Sequence, residues 1–259
     1  MSGLRWENAN RRSYCSVASS MKRARHYKRV LLKLSGEGFG DDDGHGLEME
    51  RFVALAKEIQ KLSRTGVELA IVVGGGNILR GAKFGGRGKS RVQADHVGMI
   101  ATAVNALLLQ DTLERFDISA RVVSAIEIAN ITEPFVLRNC LQYLQEKKVV
   151  IFAGGTGNPY FTTDTAAALR AVEIGADVML KATQVDGVYT DDPVKNASAT
   201  LYKKLSYMDV LNKRLGVMDL TAISLSMENK LPIIVFNINK YENIGKAISG
   251  KAVGTYIGE

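Results

Sequence analysis

Residues 149–164, VVIFAGGTGNPYFTTD, contain the most specific pattern in the sequence. An apolar run typical of a buried strand is followed by glycines, threonine hydroxyls, an asparagine and two aromatic rings, and Asp164 stands at the predicted start of a helix. Such a turn offers backbone amides, hydroxyls and a stacking ring to a nucleotide, and a helix N-terminus favours negative charge. The alternative is that Asp164 is simply a helix cap, the commonest role of aspartate at this position.

The same order of apolar run, turn and helix recurs along the chain. Apolar, β-branched runs predict strands at residues 29–34, 68–73, 120–123, 149–153, 178–181 and 233–237. Helical spacing predicts helices at residues 48–65, 92–114, 133–145, 164–173, 207–212 and 219–229. This alternation is typical of an α/β fold with a mainly parallel sheet covered by helices.

Two further glycine turns follow predicted strands. Ser35 and Gly36 come directly after the first strand, and Lys33 lies near its carboxyl end. The glycines at 74–76 follow the second strand, and Arg80 lies shortly beyond them. Open α/β sheets bind ligands at this edge, glycines let backbone amides approach an anion, and basic side chains neutralise phosphate. The alternatives are an ordinary strand-end lysine and a surface arginine beside a turn.

Three other segments are rich in turn residues. Residues 181–193, KATQVDGVYTDDP, predict two successive turns, in which Tyr189 either lies against a base or packs at the edge of the domain. Residues 36–46 and 81–91 are rich in glycine and charge, which predicts mobile loops that act as lids or binding elements, with plain surface disorder as the alternative.

The net charge of +7 comes from the first part of the chain. Residues 1–29 carry eight basic side chains and one acidic side chain, so the remaining 230 residues hold 26 of each sign. A neutral body argues against nucleic acid as a partner. We expect residues 1–26 to be a disordered basic extension and residues 27–259 to form one domain. An organelle transit peptide and a translation start at Met21 stay open as alternatives.

Two cysteines and three histidines predict neither a disulfide framework nor a zinc site, which fits a cytoplasmic location. No stretch approaches the ~20 apolar residues that span a bilayer, so we expect no membrane segment.

Six motifs occur in one order across residues 27–259: KLSGE, VVGGGNILRG, DHVGM, AGGTGNPYFTTD, KATQVDGVYTDDP and VMDL. Together they resemble the uridylate kinase branch of the amino-acid kinase family. The resemblance implies a three-layer αβα sandwich, a homohexamer, and Mg²⁺-dependent transfer of the γ-phosphoryl group of ATP to UMP in pyrimidine nucleotide biosynthesis. Feedback inhibition by UTP is left open.

The resemblance also assigns residues to the two substrates, and it assigns no metal held by the protein, because Mg²⁺ enters with ATP. The residues matched to the ATP site are Lys33, Leu34, Ser35, Gly36, Gly76, Arg80, Thr183, Tyr189 and Asp192. The residues matched to the UMP site are Gly75, Asp95, Thr156, Gly157, Asn158, Pro159, Tyr160, Phe161, Thr162 and Thr163.

The catalytic hypothesis uses Lys33, Arg80, Asp164 and Asp219. The phosphate of UMP is already an oxyanion near neutral pH, with a second pKa of about 6, so the reaction needs neither a general base nor a covalent intermediate. Lys33, Arg80 and Mg²⁺ then stabilise charge on the moving phosphoryl group. The two aspartates orient basic side chains or water.

Regulation by GTP is not carried over by the resemblance. The positions that match the GTP site of bacterial members are Gln110, Glu114, Arg121, Leu137 and Lys148, and only Arg121 keeps the family's residue. Glu114 would repel a phosphate, which argues against GTP activation. Two other function classes stay open: a sibling kinase acting on a carboxylate or carbamate, and a non-catalytic nucleotide-binding protein of the same fold.

Overall fold

The computed structural model describes residues 27–79 and 91–259. The strands are β1 (Arg29–Leu34), β2 (Glu68–Val73), β3 (Ala120–Ser124), β4 (Glu133–Pro134), β5 (Val149–Ala153), β6 (Val178–Thr183), β7 (Lys204–Leu205), β8 (Ile233–Asn237) and β9 (Thr255–Ile257). The helices are α1 (Met49–Ser63), α2 (Arg91–Arg115), α3 (Leu137–Gln145), α4 (Thr163–Glu173), α5 (Tyr207–Asn212), α6 (Leu220–Glu228) and α7 (Glu242–Ile248), and a short 3-10 helix covers Gly36–Phe39.

The strands form one sheet in the order β4-β3-β5-β2-β1-β6-β8-β9-β7. Neighbouring strands are parallel except β8 and β9. β1 lies between β2 and β6, and its register places Lys33 beside Val72 on one side and Lys181 on the other. The carboxyl ends of β5, β2, β1 and β6 therefore meet at one edge of the sheet, where ligands bind in open α/β folds.

Helices cover both faces of this sheet. α1, α2 and α7 pack on one face, where Phe52 and Leu109 belong to the larger buried cluster. The other helices pack on the opposite face, where Leu144 and Ala167 belong to a second cluster. Successive residues of β1 alternate between the two clusters, as the two-residue repeat of a strand requires. The predicted α/β fold, a three-layer αβα sandwich with a mainly parallel sheet, is confirmed.

The predicted strands are confirmed, whereas one helix boundary is wrong. The sequence predicts a helix from residue 133, but Glu133–Pro134 forms β4 and α3 begins only at Leu137. The physical reason is Pro134, because a residue that precedes proline disfavours the helical conformation. The short strands β4 and β7, together with β9 and α7, were not predicted from the sequence.

Residues 36–46 differ from the predicted mobile loop. They begin with the 3-10 helix, and the ring of Phe39 is buried and stacks on Phe52 with the ring centroids 4.4 Å apart. The backbone of Gly46 also accepts a hydrogen bond from the side chain of Asn77. The second predicted loop, residues 81–91, lies outside the described residues except for Arg91, the first residue of α2.

The expectation that no stretch is long and apolar enough to span a membrane is wrong for α2, by length and composition. Among the described residues it is the one helix with the required length and composition. Its Leu109 and Leu113 are fully buried against the sheet. The other side of α2 exposes Val97 and Ile100.

Candidate active site

The turns after β1 and β2 interlock at the edge of the sheet. The amide of Gly74 donates to the carbonyl of Leu34 at 2.9 Å. A Cβ atom added to Gly36 would stand 2.4 Å from the backbone nitrogen of Gly76, closer than real Cβ contacts. Position 36 therefore requires glycine, and the two turns present backbone groups rather than side chains to a ligand.

The turn after β5 uses backbone conformations that favour glycine. Gly154, Gly155 and Gly157 have φ angles of +76°, +59° and +80°. Tyr160 in the same turn has a φ of 72°, which is rare for a bulky residue. Its amide donates to Oδ2 of Asp95 at 2.7 Å, and this hydrogen bond holds the strained residue in place.

Asp95 connects this turn to α2. Its Oδ1 atom lies 2.9 Å from Nε of Arg91, whose guanidinium group lies 5.6 Å from the centre of the Tyr160 ring. Burial alone would raise the pKa of Asp95, but the amide of Tyr160 and the charge of Arg91 outweigh it and lower the pKa below its usual value. The side chain is therefore an ionised acceptor at neutral pH.

The three turns and the first half of α2 enclose a cleft of about 330 Å³. Residues predicted for the ATP and UMP sites line the same cavity. The ATP-side residues in its wall are Ser35, Gly36 and Gly76, and the UMP-side residues are Gly75, Asp95, Thr156, Phe161, Thr162 and Thr163.

Two lysines share one carboxylate beside this cleft. Nζ of Lys33 lies 2.8 Å from Oδ1 of Asp164, and Nζ of Lys181 lies 2.5 Å from Oδ2. Only 9%, 13% and 10% of the side chains of Lys33, Asp164 and Lys181 are exposed. Burial would raise the pKa of Asp164, but the two ammonium groups outweigh it and lower that pKa. Burial lowers the pKa of Lys181, and Asp164 opposes this shift.

Asp164 is not the cap of α4, the alternative role that the sequence left open for it. Thr162, not Asp164, is the N-cap, because its hydroxyl accepts from the amide of Asp164 at 3.0 Å. Asp219 is the N-cap of α6, and its carboxylate also accepts hydrogen bonds from the hydroxyls of Thr162 and Thr165. Asp219 thus ties the start of α4, which lines the cleft, to the start of α6.

The remaining predicted ATP residues are Leu34 at the end of β1, Thr183 at the end of β6, and Tyr189 and Asp192 beyond β6. Thr183 and Leu34 line a small recess next to the cleft. Tyr189 makes an isolated bridge with Leu201, and Asp192 is exposed in the following loop. The structure does not bring Tyr189 or Asp192 into the wall of the cleft.

Four residues predicted for the UMP site lie outside the wall of the cleft. Gly157, Asn158, Pro159 and Tyr160 belong to the turn after β5 but are not part of the cleft wall. Arg80 lies outside the described residues.

Sequence reasoning missed three buried polar residues at this edge: Lys181, Thr102 and Asn105. The signal for Lys181 was present, because VLLKL and VMLKA both place a lysine after three apolar residues, and the strand register brings the two lysines side by side. Thr102 and Asn105 were hidden, since polar residues in a helix ordinarily indicate its solvent face.

The described residues contain no group of three or more His, Cys, Asp or Glu side chains that could hold a metal ion. Of the carboxylates beside the cleft, both oxygens of Asp164 contact lysines and both oxygens of Asp219 accept hydrogen bonds. Carboxylates that already have partners suit a magnesium ion held by nucleotide phosphates better than one bound directly by the protein.

Glycine turns at the carboxyl ends of three adjacent parallel strands, with buried lysines beside them, define an α/β protein built to hold phosphorylated ligands. The model of the amino acid kinase family matches residues 28–237, and the chain belongs to this family.

Solved structures of uridylate kinases are similar to the chain over most of its length. UMP kinase from Bacillus anthracis is 39% identical, with a TM-score of 0.87 over 90% of this chain and 97% of the other. UMP kinase from Ureaplasma parvum is 35% identical, with a TM-score of 0.84 over 90% and 99%. Uridylate kinase from Archaeoglobus fulgidus is 32% identical, with a TM-score of 0.70 over 88% and 99%.

Proposed function

We propose that the protein is a uridylate kinase, which transfers the γ-phosphoryl group of MgATP to UMP and yields UDP and ADP. The observation that carries the proposal is the single cleft whose wall combines the predicted ATP-side residues with the predicted UMP-side residues. Direct transfer requires both phosphates in one cavity. The similarity to UMP kinases over nine tenths of the chain supports the choice of acceptor.

Catalysis in this cleft depends on alignment and charge. The acceptor phosphate is a nucleophile without help from a base, so the chain's task is to hold two phosphates in line and to neutralise the charge that moves between them. Backbone amides of the turns after β1, β2 and β5 hold the phosphates. The N-terminus of α4, at Thr162 and Thr163, adds a favourable dipole at the cleft wall.

Lys33 supplies positive charge at the donor end of the cleft. It precedes Ser35 by two residues on β1, and Asp164 fixes the position of its ammonium group. Lys181 contacts the other oxygen of Asp164 and also donates to the carbonyl of Val217. The Lys33 ammonium group has three donors, so it can keep its contact with Asp164 and also donate to a bound phosphate. Arg80 belongs to the same hypothesis as a second cation at the phosphates.

Magnesium supplies charge neutralisation on the ATP phosphates when it is bound. The chain's contribution is to leave room for the MgATP complex while Asp164 and Asp219 stay engaged with their own partners.

We further propose that residues 27–259 act as one domain, in the cytoplasm, as a homohexamer. What supports self-assembly is the apolar stripe on the outer side of α2, where Val97, Ile100 and Val104 are exposed at helical spacing. Light scattering with size-exclusion chromatography measures the assembly. A monomer at micromolar concentration contradicts it.

GTP activation is not part of the proposal. Arg121 lies 4.0 Å from Glu114 and 3.7 Å from Glu133, so its charge already faces two carboxylates. The rate of UDP formation with and without GTP tests this point, and the same assay with added UTP tests feedback inhibition.

The decisive experiment incubates the full chain with MgATP and one acceptor at a time: UMP, CMP, aspartate, glutamate or carbamate. ADP release and the phosphorylated product are measured. We expect rapid UDP formation from UMP. ADP release only with a carboxylate or carbamate acceptor would identify a sibling kinase, and no transfer to any acceptor would identify a nucleotide-binding protein. In the same assay, Lys57→Met at an exposed position on α1 is the control for substitutions of Lys33 and Lys181.

A further inference from the structure

One face of α2 contacts two of the phosphate-binding turns at once. Gly75 packs so closely on this face that an added Cβ would lie 2.8 Å from Cβ of Ala101 and 3.0 Å from the backbone nitrogen of Thr102. Thr102 and Asn105, three residues apart and therefore on the same side of the helix, are both buried. Each forms a hydrogen bond to a different turn.

Thr102 holds the turn after β5. Its hydroxyl accepts from the amide of Gly154 at 2.7 Å and donates to the carbonyl of Met99 at 2.6 Å. Both the donor and an acceptor site of the hydroxyl are used within the protein, so Thr102 lines the cleft without a free proton to offer a ligand.

Asn105 holds the turn after β2. Its Nδ2 atom donates to the carbonyl of Gly74 at 2.7 Å and to Oδ1 of Asn77 at 2.8 Å. The side chain of Asn77 donates back to Oδ1 of Asn105 at 3.2 Å and to the carbonyl of Gly46 at 2.8 Å. This reciprocal pair of buried amides joins α2, the glycine turn and the segment before α1.

The sheet alone does not fix the distance between these turns. The register of β2 and β5 ends at Val72 and Phe152, and both glycine turns lie beyond that point. A helix is a rigid element, and two contacts one turn apart on it fix the relative position of whatever they hold.

We propose that Thr102 and Asn105 are positioning residues that set the separation between the turn at 74–76, which includes the ATP-side Gly76, and the UMP-side turn at 154–157. This inference rests on the proposed function, because only transfer between two bound phosphates makes that separation matter. Both residues act through backbone groups of the turns, and neither is assigned to contact the transferred group.

Substitutions of equal shape separate positioning from simple packing. Thr102→Val keeps the side-chain volume and leaves the amide of Gly154 unpaired, whereas Thr102→Ser keeps the hydroxyl. We expect Thr102→Val to lower kcat by about 10- to 100-fold with a change in either KM of less than about threefold, because a misplacement of about 1 Å has an effect of this size. Thr102→Ser should stay within about threefold of the unmodified enzyme.

Thr112 provides a matched control on the same helix. It is also a buried threonine, but its hydroxyl donates only within α2, to the carbonyl of Leu108 at 2.7 Å. Thr112→Val should lower the melting temperature and leave kcat unchanged. Asn105→Leu repeats the test at the other turn, which keeps the proposal open to refutation if Thr102→Val does not fold.

Amide hydrogen exchange gives a readout that does not need activity. In Thr102→Val, peptides that cover residues 154–157 should exchange faster, and in Asn105→Leu peptides that cover 74–77 should do so. Unchanged kcat in folded Thr102→Val, or an equal loss in Thr112→Val, overturns the positioning role. If the unmodified enzyme forms no UDP, the proposed function fails, and unchanged exchange at both turns then removes the positioning role as well.

Discussion

Replacement of Gly36 by alanine is expected to disrupt ATP use through a displacement that the structure defines. A Cβ at this position would lie 2.4 Å from the backbone nitrogen of Gly76 and 2.7 Å from Oδ1 of Asn77. The side chain of Asn77 is held in its amide pair, and Gly76 is backbone, so neither neighbour can rotate away. To reach an ordinary contact distance the two turns must separate by about 1 Å, which is enough to cost about 100-fold in rate.

The stability of this variant is expected to fall as well. Overpacking of this kind costs about 1–3 kcal/mol of folding free energy, and we expect the distortion to be largest in the turns after β1 and β2. The measurements are thermal denaturation and the rate of UDP formation at varied ATP concentration. We expect kcat/KM for ATP to fall by about two orders of magnitude.

Gly38→Ala is the matched control. Gly38 lies in the same 3-10 helix, and nothing stands within 4 Å of an added Cβ. Its activity should be that of the unmodified chain, and the free energy of unfolding should change by less than about 0.5 kcal/mol. Normal kinetics in Gly36→Ala, or an equal loss in Gly38→Ala, would refute the reasoning.

Three other predictions concern the lysine cluster. Lys33→Ala should lower kcat by about 100- to 1000-fold in steady-state assays and change the KM for UMP far less, because its charge acts on the moving phosphoryl group; the reverse pattern contradicts this role. Lys181→Met should lower kcat by about tenfold or more, since Lys33 then becomes the only cation paired with Asp164, and Lys181→Arg should recover part of it; equal activity of the two variants would count against the assignment. Because the pKa of Asp164 is lower in the folded protein, its ionised carboxylate stabilises the fold fully above the unfolded-state pKa near 3.8. This stabilisation is lost progressively as the pH falls below that value. Melting temperature should therefore depend less steeply on pH in Asp164→Asn between about pH 5 and pH 3, and identical slopes would contradict the prediction.

The strands were readable from sequence because parallel strands buried on both faces are continuous apolar runs. Four of the six predicted strands have the predicted bounds, and the other two extend by one or two residues. The two-residue strands β4 and β7 carry no repeat to detect, and only tertiary pairing defines them. The same holds for β9, whose three residues pair antiparallel with β8.

The sequence predicted the parts of the candidate site that are glycines at the ends of strands. It did not predict the residues whose place in the site depends on tertiary contacts. Gly36 and Gly75 could be placed because strand-end glycines indicate close backbone approach. The sequence carried a signal for Lys181, a lysine after three apolar residues as at Lys33, but its pairing with Asp164 depends on strand register and on the position of α4. Thr102 and Asn105 are polar residues that face inward on a helix, which a hydrophobic pattern assigns to solvent.

In the proposed function, the lysine cluster gives a protein body of neutral overall charge a local attraction for phosphate. Lys33 and Lys181 both contact Asp164, all three side chains are almost completely buried, and the charge of Asp219 also acts on Lys181. Burial lowers the pKa of Lys181 and the charge of Lys33 adds to that effect, whereas Asp164 and Asp219 oppose it. In the proposed function, a phosphate beside the two lysines is attracted most strongly because the interaction takes place at low dielectric. The proposed site therefore uses the positive charge of buried lysines in the folded body, whose overall charge is neutral.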